Sequence, residues 1–214
     1  WLEIDCKITS GDGGMGTGQN VYVIGNVIHG IHHKSGDGSY NPASAWSNAA
    51  IMVNGMTQRY IINNTIWDVD AGINAPANQG RVWMYNNIIG AVTDGQGKHV
   101  FFESAGATGG SDLDYNLFYQ NGEPARIRWA SGVTYTAGGF TAATGKGGHN
   151  QEADPRFINP GTDFHLQPTS PAIDAGRVSD VYQTFYSLYG IDIAKDLDGS
   201  SRPKGQAYDI GAYE

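Results

Sequence analysis

Two arginines, Arg126 and Arg128, are the side chains in this sequence best suited to binding a carboxylate. They lie two residues apart in a segment whose isoleucine and tryptophan favour a strand, and residues at that spacing on a strand project from the same face. A guanidinium can bind a carboxylate through two parallel hydrogen bonds. The pair could therefore neutralise the acid group of a ligand, or it could form surface ion pairs with Glu103 and Glu123.

Three consecutive residues, His32, His33 and Lys34, could supply a base. Histidine changes its charge near neutral pH, so it can take up and release a proton there. Two adjacent histidines are a weak indication of a metal site, because neighbouring side chains in an extended segment diverge. We predict these three residues, together with the two arginines, as catalytic. The alternative is a polar loop whose histidines have no chemical role.

Two carboxylates, Asp68 and Asp70, share a face if their segment is extended. Carboxylate oxygens are ligands for calcium, and a pair of carboxylates is the machinery of glycoside hydrolysis. Aspartate is also common in turns for purely conformational reasons. We predict that the two residues form a calcium site, which makes calcium the expected cofactor. Hydrolysis and turn formation are the alternatives.

An internal repeat places these residues on a scaffold. Four segments align on an asparagine, each with apolar residues three positions before it and two positions after it. The asparagines are Asn26, Asn64, Asn87 and Asn116. Asparagine tolerates left-handed backbone angles and can turn the chain within one residue. A spacing of roughly 23 residues, lengthened by insertions, predicts a solenoid of short strands with asparagines stacked at one corner. An ordinary β-sandwich would explain the alternation but not the recurring asparagine.

The same alignment predicts a third strand in each coil. Its segments are 50–53, 72–75, 99–102 and 126–129. Strand alternation divides their residues between two faces. The inward residues are Ile51, Ile73, Val100 and Ile127. The outward residues include Asn74, His99, Phe101 and Glu103, next to the two arginines. We predict these four outward residues, with Trp67 of a neighbouring loop, as substrate-binding residues.

A stripe of aromatic side chains occupies the position four residues before the asparagine. It contains Tyr22, Tyr60 and Trp83. Aromatic rings on an outer face can form a platform for a ligand or pack beneath another part of the chain. We favour packing beneath the C-terminal segment.

The end of the sequence carries a different set of motifs. These are Asp154-Pro155-Arg156-Phe157, the run from Phe164 to Gly176, and the terminal Asp209-Ile210-Gly211-Ala212-Tyr213-Glu214. Together with the asparagine corners, they resemble the pectate-lyase-like superfamily of bacterial secreted or surface-anchored β-helix proteins. That superfamily includes polysaccharide lyases, glycoside hydrolases, uronan epimerases and non-enzymatic adhesins. The resemblance implies carbohydrate chemistry outside the cytoplasm, without indicating one activity.

The expected architecture is all-β. We predict a right-handed parallel β-helix with three short strands per rung over residues 1–150, and a C-terminal capping segment over residues 151–214. Residues 1–8 read as an earlier rung with Cys6 at its corner. The first rung would leave strand edges open, so we expect a further N-terminal region or a partner chain to cover it.

Composition narrows the range of partners. The formal net charge is −8 and there is no run of lysine or arginine, which argues against nucleic acid. No apolar run reaches about 18 residues, so no membrane span is expected. We expect a secreted or surface protein whose partner is a polysaccharide.

The favoured function at this point is cleavage of a uronic-acid-containing polysaccharide by β-elimination. Such a reaction needs a base beside the acidic carbon and a cation that stabilises the developing charge. The alternatives are a non-catalytic carbohydrate-binding or adhesive module, and a glycoside hydrolase that uses the paired aspartates.

Overall fold

The computed structural model describes residues 8–10, 20–33, 49–53, 58–75, 81–94, 97–102, 110–130 and 132–214. This part of the chain is mostly strand and contains two helices, α1 (Ala137–Thr144) and α2 (Val181–Tyr189). The strands are β1 (Ile8–Ser10), β2 (Asn20–Ile24), β3 (Val27–Ile31), β4 (Ala49–Met52), β5 (Gln58–Ile62), β6 (Thr65–Val69), β7 (Ala71–Ala75), β8 (Arg81–Tyr85), β9 (Ile88–Val92), β10 (Val100–Phe102), β11 (Asp112–Asp114), β12 (Leu117–Tyr119), β13 (Ile127–Trp129), β14 (Thr134–Tyr135), β15 (Gln151–Glu152), β16 (Phe157–Asn159) and β17 (Asp163–Leu166).

Fifteen of these strands form three five-stranded sheets, and β16 and β17 pair with each other in a two-stranded sheet. The first sheet has the order β1-β2-β5-β8-β11, the second β3-β6-β9-β12-β15 and the third β4-β7-β10-β13-β14. From β2 to β13, successive strands enter the first, second and third sheet in turn, and their pairings within each sheet are parallel. These stacked parallel sheets are compatible with a β-helix.

The predicted register of the third sheet is confirmed. Ile51 pairs with Ile73, Ile73 with Val100, and Val100 with Ile127. All four side chains belong to one buried cluster formed by residues from the three sheets. Each coil therefore contributes apolar side chains to a shared core, as the alternation of the sequence requires.

The asparagine repeat forms a buried ladder. The Oδ1 atom of Asn64 accepts hydrogen bonds from the backbone N and from Nδ2 of Asn26, at 3.1 and 2.9 Å. Asn87 accepts the same two bonds from Asn64, and Asn116 accepts them from Asn87. Asn150, which the alignment missed, accepts them from Asn116 at 3.0 and 3.1 Å. The predicted stack of corner asparagines is confirmed and extends one coil further.

The residue that turns the chain differs from the expected one. At Asn26, Asn64, Asn87 and Asn116, the left-handed backbone angles belong to the preceding residues. They are Gly25 (φ 70°), Asn63 (53°), Asn86 (56°) and Tyr115 (56°). The ladder asparagine directs its amide at the next coil. The residue before it adopts the positive φ angle, which glycine and asparagine tolerate best.

At two corners the residue before the ladder asparagine is also an asparagine, Asn63 or Asn86. The side chains of these two residues bond to the C-terminal segment, residues 151–214. Asn63 donates from Nδ2 to the carbonyls of Asp209 and Gly211, at 3.0 and 3.1 Å. Asn86 accepts the backbone N–H of Arg177 at 2.9 Å. At these two corners, one asparagine therefore bonds to the next coil and the other bonds to the C-terminal segment.

The aromatic stripe packs beneath helix α2, as expected. Tyr22 stacks on Tyr60 and Tyr60 on Trp83, with ring centroids 4.9 Å apart in both pairs. Phe185 of α2 meets Tyr22 edge-on at 4.9 Å. A second cluster joins Phe157 and other residues of the segment to the outer face of the second sheet. Residues 151–214 therefore lie along two sheets.

Helix α1, inside the region predicted as rungs, covers the end of the core. The buried Phe140 packs edge-on against Trp129, with ring centroids 5.2 Å apart, and belongs to the central cluster. Thr136 caps the helix by accepting the N–H of Gly139 at 3.0 Å. Phe140 supplies apolar cover at this end of the core, and the capping role of residues 151–214 stays a prediction.

At the other end, strand β1 pairs with β2 in the antiparallel direction. The expected parallel rung over residues 1–8 is therefore wrong at Ile8, and Cys6 lies outside the described residues. Strands β3 and β4 are the outermost strands of the second and third sheets. No helix in the described ranges is long and apolar enough to cross a membrane.

The ladder yields a stability prediction. Replacing Asn87 with alanine removes the partner of two buried N–H groups of Asn64 and the donor to Ile61 and Asn116. We expect the free energy of unfolding, measured by urea denaturation, to fall by about 3 kcal/mol. Asn159→Ala, at an exposed position of β16, is the control and should change it by about 0.5 kcal/mol or less. Equal losses in the two variants would contradict a structural role for the ladder.

Candidate functional site

A kink in the second sheet projects Asp68 from the surface. Gly30, Asp68 and Ala91 occupy equivalent positions and have φ angles of 66°, 53° and 50°. The pairing skips this position, so Ile31 next pairs with Val69. The side chain of Asp68 is consequently exposed, and Asp70 follows directly after strand β6.

Asp70 is the centre of a hydrogen-bonded cluster. Its carboxylate accepts the backbone N–H of His33 and contacts the ring nitrogens Nδ1 of His33 at 2.7 Å and of His32 at 3.1 Å. The Thr93 hydroxyl donates to it at 3.0 Å. Burial leaves 5% of the Asp70 side chain exposed and by itself raises the pKa. The bonds from His33, His32 and Thr93 outweigh burial, and the net pKa is lowered.

His32 is accessible to solvent, with 40% of its side chain exposed. Burial lowers its pKa, but the hydrogen bond to Asp70 and the charge of Asp68 outweigh that effect, so the net pKa is raised. Its Nε2 lies 3.5 Å from Oδ2 of Asp68. If Nδ1–H donates to Asp70, the neutral ring carries its basic lone pair on Nε2. The predicted histidines and aspartates are thus brought together in one cluster.

The side chain of Arg126 reaches the backbone next to Thr93. Its Nη2 donates to the carbonyl of Val92 at 3.1 Å, and the next residue, Thr93, has its hydroxyl 3.3 Å from Nδ1 of His32. The side chain of Gln120 fixes Val92 from the next coil through bonds of 3.0 and 2.8 Å to its N and O. We call this line of residues, from His32 through Thr93 to Arg126, the ridge.

Lys98 joins the ridge although sequence reasoning gave it no role. Burial lowers its pKa, and the charges of Arg126 and Arg128 lower it further, against the opposing charge of Asp94. The preceding residue, Gly97, packs closely on the backbone of the coil before it, where a Cβ would lie 1.9 Å from the carbonyl oxygen of Asp70. The signal that could have identified Lys98 is its position just before the predicted strand 99–102, one coil from Arg126.

Arg128 is next to Arg126 but has an aromatic partner. Its guanidinium carbon lies 4.6 Å from the centroid of the Phe101 ring. Phe101 pairs with Arg128 across neighbouring strands and is buried. Contact with the ring fixes the cation at the outer side of the third sheet.

Three of the predicted substrate-binding residues are buried. His99, Asn74 and Phe101 are each at most 2% exposed, so their side chains are covered rather than open to a ligand, and their role in binding stays a prediction. His99 instead bonds to the carbonyl of Tyr119 through Nε2 and accepts the N–H of Arg126 at Nδ1, at 3.2 and 3.1 Å. Burial lowers its pKa to about 4, which keeps the ring neutral. Alternation predicts the side of a strand but not what covers that side.

Trp67 is a packing residue. It lies in strand β6 rather than in a loop, and its ring stacks on Tyr119 with centroids 5.4 Å apart. Gly90 separates the two in the register, and a Cβ on Gly90 would come within 2.5 Å of the Trp67 ring. Phe157 of the C-terminal segment meets Trp67 edge-on at 5.0 Å.

The roles of Lys34 and Glu103 and the binding of calcium stay predictions. Lys34 and Glu103 lie outside the described residues. Within the described ranges, no group of three or more His, Cys, Asp or Glu side chains is arranged to hold a metal ion. Both oxygens of Asp70 bond to the histidines and Thr93, so calcium at Asp68 and Asp70 stays a prediction.

Comparison of the chain with protein-family models, curated proteins and solved structures gave no significant match. The resemblance to the pectate-lyase-like superfamily therefore rests on the asparagine corners and the terminal motifs.

The cluster yields a titration prediction. In Asp70→Asn the charge that favours the protonated ring is lost, so the pKa of His32 should fall from its raised value. Histidine resonances followed by NMR during a pH titration measure it. His165 is the internal control, since its pKa is raised by hydrogen bonds to Asp198 and Asp163 elsewhere in the chain and should not move. An unchanged His32 titration would show that Asp70 does not govern this ring.

Proposed function

We propose that this chain is a right-handed parallel β-helix of the pectate-lyase-like superfamily, acting outside the cell on a polysaccharide that contains uronic acid. The fold proposal is supported by the three-sheet strand order, the parallel register and the asparagine ladder. The family proposal adds the terminal motifs, whose residues pin the segment to the coils through Asp209 and Gly211.

The proposed reaction is β-elimination, and one observation carries it. Arg126 binds the carbonyl of Val92 while the adjacent Thr93 contacts His32, so a cation and a candidate base occupy one ridge. β-Elimination needs this pairing, because the proton to be removed lies next to the carboxyl group that must be neutralised. The net charge of −8 would repel an acidic polymer, so binding one requires cations grouped at one place on the surface.

The proposed mechanism uses five residues, which are His32, Asp70, Arg126, Arg128 and Lys98. Nε2 of His32 removes the proton from the carbon next to the carboxyl group, and Asp70 holds the imidazole through Nδ1. Arg126, with Arg128 beside it, stabilises the negative charge that develops on the carboxylate. The bond to the oxygen on the next carbon then breaks, leaving a double bond in the sugar. Lys98, whose pKa is lowered, donates the proton that the departing oxygen needs.

A non-catalytic binding module is the second candidate, and the electrostatics of His32 favour it at lower pH. A raised pKa keeps the ring protonated further toward neutrality, where it acts as a cation and not as a base. The ridge would then bind an acidic polymer without cleaving it. Glycoside hydrolysis by Asp68 and Asp70 is less well supported, because Asp70 is nearly buried and both its oxygens accept hydrogen bonds.

The first test is the absorbance of the unsaturated uronate product on a panel of acidic polysaccharides, with and without calcium. We expect activity on one class of polymer and a loss of at least about 100-fold in kcat/KM for Arg126→Ala, since the cation stabilises the transition state. Arg81→Ala, at an exposed position of β8, is the matched control. Unchanged activity in Arg126→Ala would contradict the mechanism, and retention of a polymer without product would favour the binding module.

The pH dependence provides a separate test of the base. Because the pKa of His32 is raised, the neutral ring predominates only above that value, so kcat/KM should fall as the pH drops through it. At high pH kcat/KM should fall again, as Lys98, the proposed acid, loses its proton at its lowered pKa. In Asp70→Asn the acidic limb should move to lower pH. A profile whose acidic limb is the same in both proteins would assign the base to another group.

A further inference from the structure

A cleft of about 420 Å³ opens directly beside the ridge. Its lining includes Tyr119, the apolar Pro124 and Ala125, and the acidic residues Glu123 and Asp154. Ala125 precedes Arg126 in the chain, and Gln120, also in the lining, bonds to the same Val92 carbonyl as the Arg126 guanidinium. The cleft is therefore the immediate continuation of the proposed carboxylate-binding position.

The charge of this cleft is opposite to that of the ridge. Among the residues that the structure describes, its lining contains Glu123, Glu152 and Asp154 but no lysine, arginine or histidine. Glu152 is committed to the backbone N–H of Ala125 at 2.9 Å and to that of Ala137. Asp154 accepts the N–H of Arg156 at 2.8 Å and is exposed, as is Glu123. The charge of Glu123 also acts on Arg126, which places it close to the ridge.

A chain of sugars that crosses from the ridge into the cleft thus meets cations first and carboxylates next. A carboxylate on the second sugar would be repelled by the like charges of Glu123 and Asp154, and this repulsion weakens as salt is added. A sugar that presents only hydroxyl or amino groups would instead donate hydrogen bonds to them. The Tyr119 ring adds a surface on which a sugar face can pack.

We propose that the substrate is a heteropolymer, in which a uronic acid on the ridge is followed by a sugar without a carboxylate in the cleft. This inference rests on the proposed function, since the ridge defines where the uronic acid lies. Glu123 and Asp154 are specificity residues in this account, and they act by excluding a second acid.

The test compares a homopolymer of uronic acid with copolymers that alternate uronic acid with a neutral or an amino sugar. Cleavage is followed by product absorbance and binding by retention on polymer-containing gels. For the wild-type protein we expect kcat/KM, or affinity, to be about tenfold or more higher on a copolymer. The better of the two copolymers identifies whether the second sugar is neutral or amino.

The variant for this test is Glu123→Gln combined with Asp154→Asn, which keeps size and hydrogen-bonding capacity while removing two charges. We expect it to gain about tenfold on the homopolymer relative to the copolymer. Asp180→Asn, an exposed carboxylate at the start of α2, is the control and should leave the ratio unchanged.

Different results would contradict the lyase proposal and the heteropolymer inference. If no polymer is cleaved, β-elimination is wrong, and the gel retention of the same polymers still tests the preference. If the wild-type protein cleaves or binds homopolymer and copolymer equally, or if the double variant leaves the ratio unchanged, the heteropolymer inference is overturned. The lyase proposal stands wherever cleavage is observed.

Discussion

The buried ladder of asparagine amides is the interaction on which the rest of the structure depends. Each ladder asparagine fixes the backbone and side chain of the one before it, from Asn26 to Asn150. An amide that lost its partner would be buried and unsatisfied, so a shift of one coil against the next is strongly disfavoured. The ladder therefore sets the register of the sheets, and with it the side chains that come together on neighbouring coils.

The ridge is a consequence of that register. His32, Asp70 and Thr93 follow successive strands of the second sheet and meet because β3, β6 and β9 are aligned. The buried His99 bonds to the backbone of Arg126 and so helps to position the next coil. Electrostatics then divides the surface, with cations at Lys98, Arg126 and Arg128 and carboxylates in the adjoining cleft. A polymer that runs from the ridge into the cleft would meet the cations first and the carboxylates second.

The sequence predicted those parts of the structure that repeat. The corner asparagines and the inward positions Ile51, Ile73, Val100 and Ile127 could be aligned because each coil poses the same packing problem. The left-handed residue beside each asparagine was misplaced by one position, since a repeat pattern does not distinguish two adjacent polar residues at a corner. The burial of His99 and Trp67 could not be predicted, because it depends on side chains and on a C-terminal segment that are distant in sequence. Lys98 was missed for the same reason, as its neighbours belong to other coils.

The most direct test of the central claim is a crystal structure of the protein with a bound oligosaccharide that contains uronic acid. The account predicts that the uronate carboxylate lies against the Arg126 guanidinium, with the acidic carbon facing Nε2 of His32 and the adjoining sugar in the cleft beside Tyr119. A saccharide bound instead along helix α2 or the outer face of the first sheet, with the ridge empty, would contradict it.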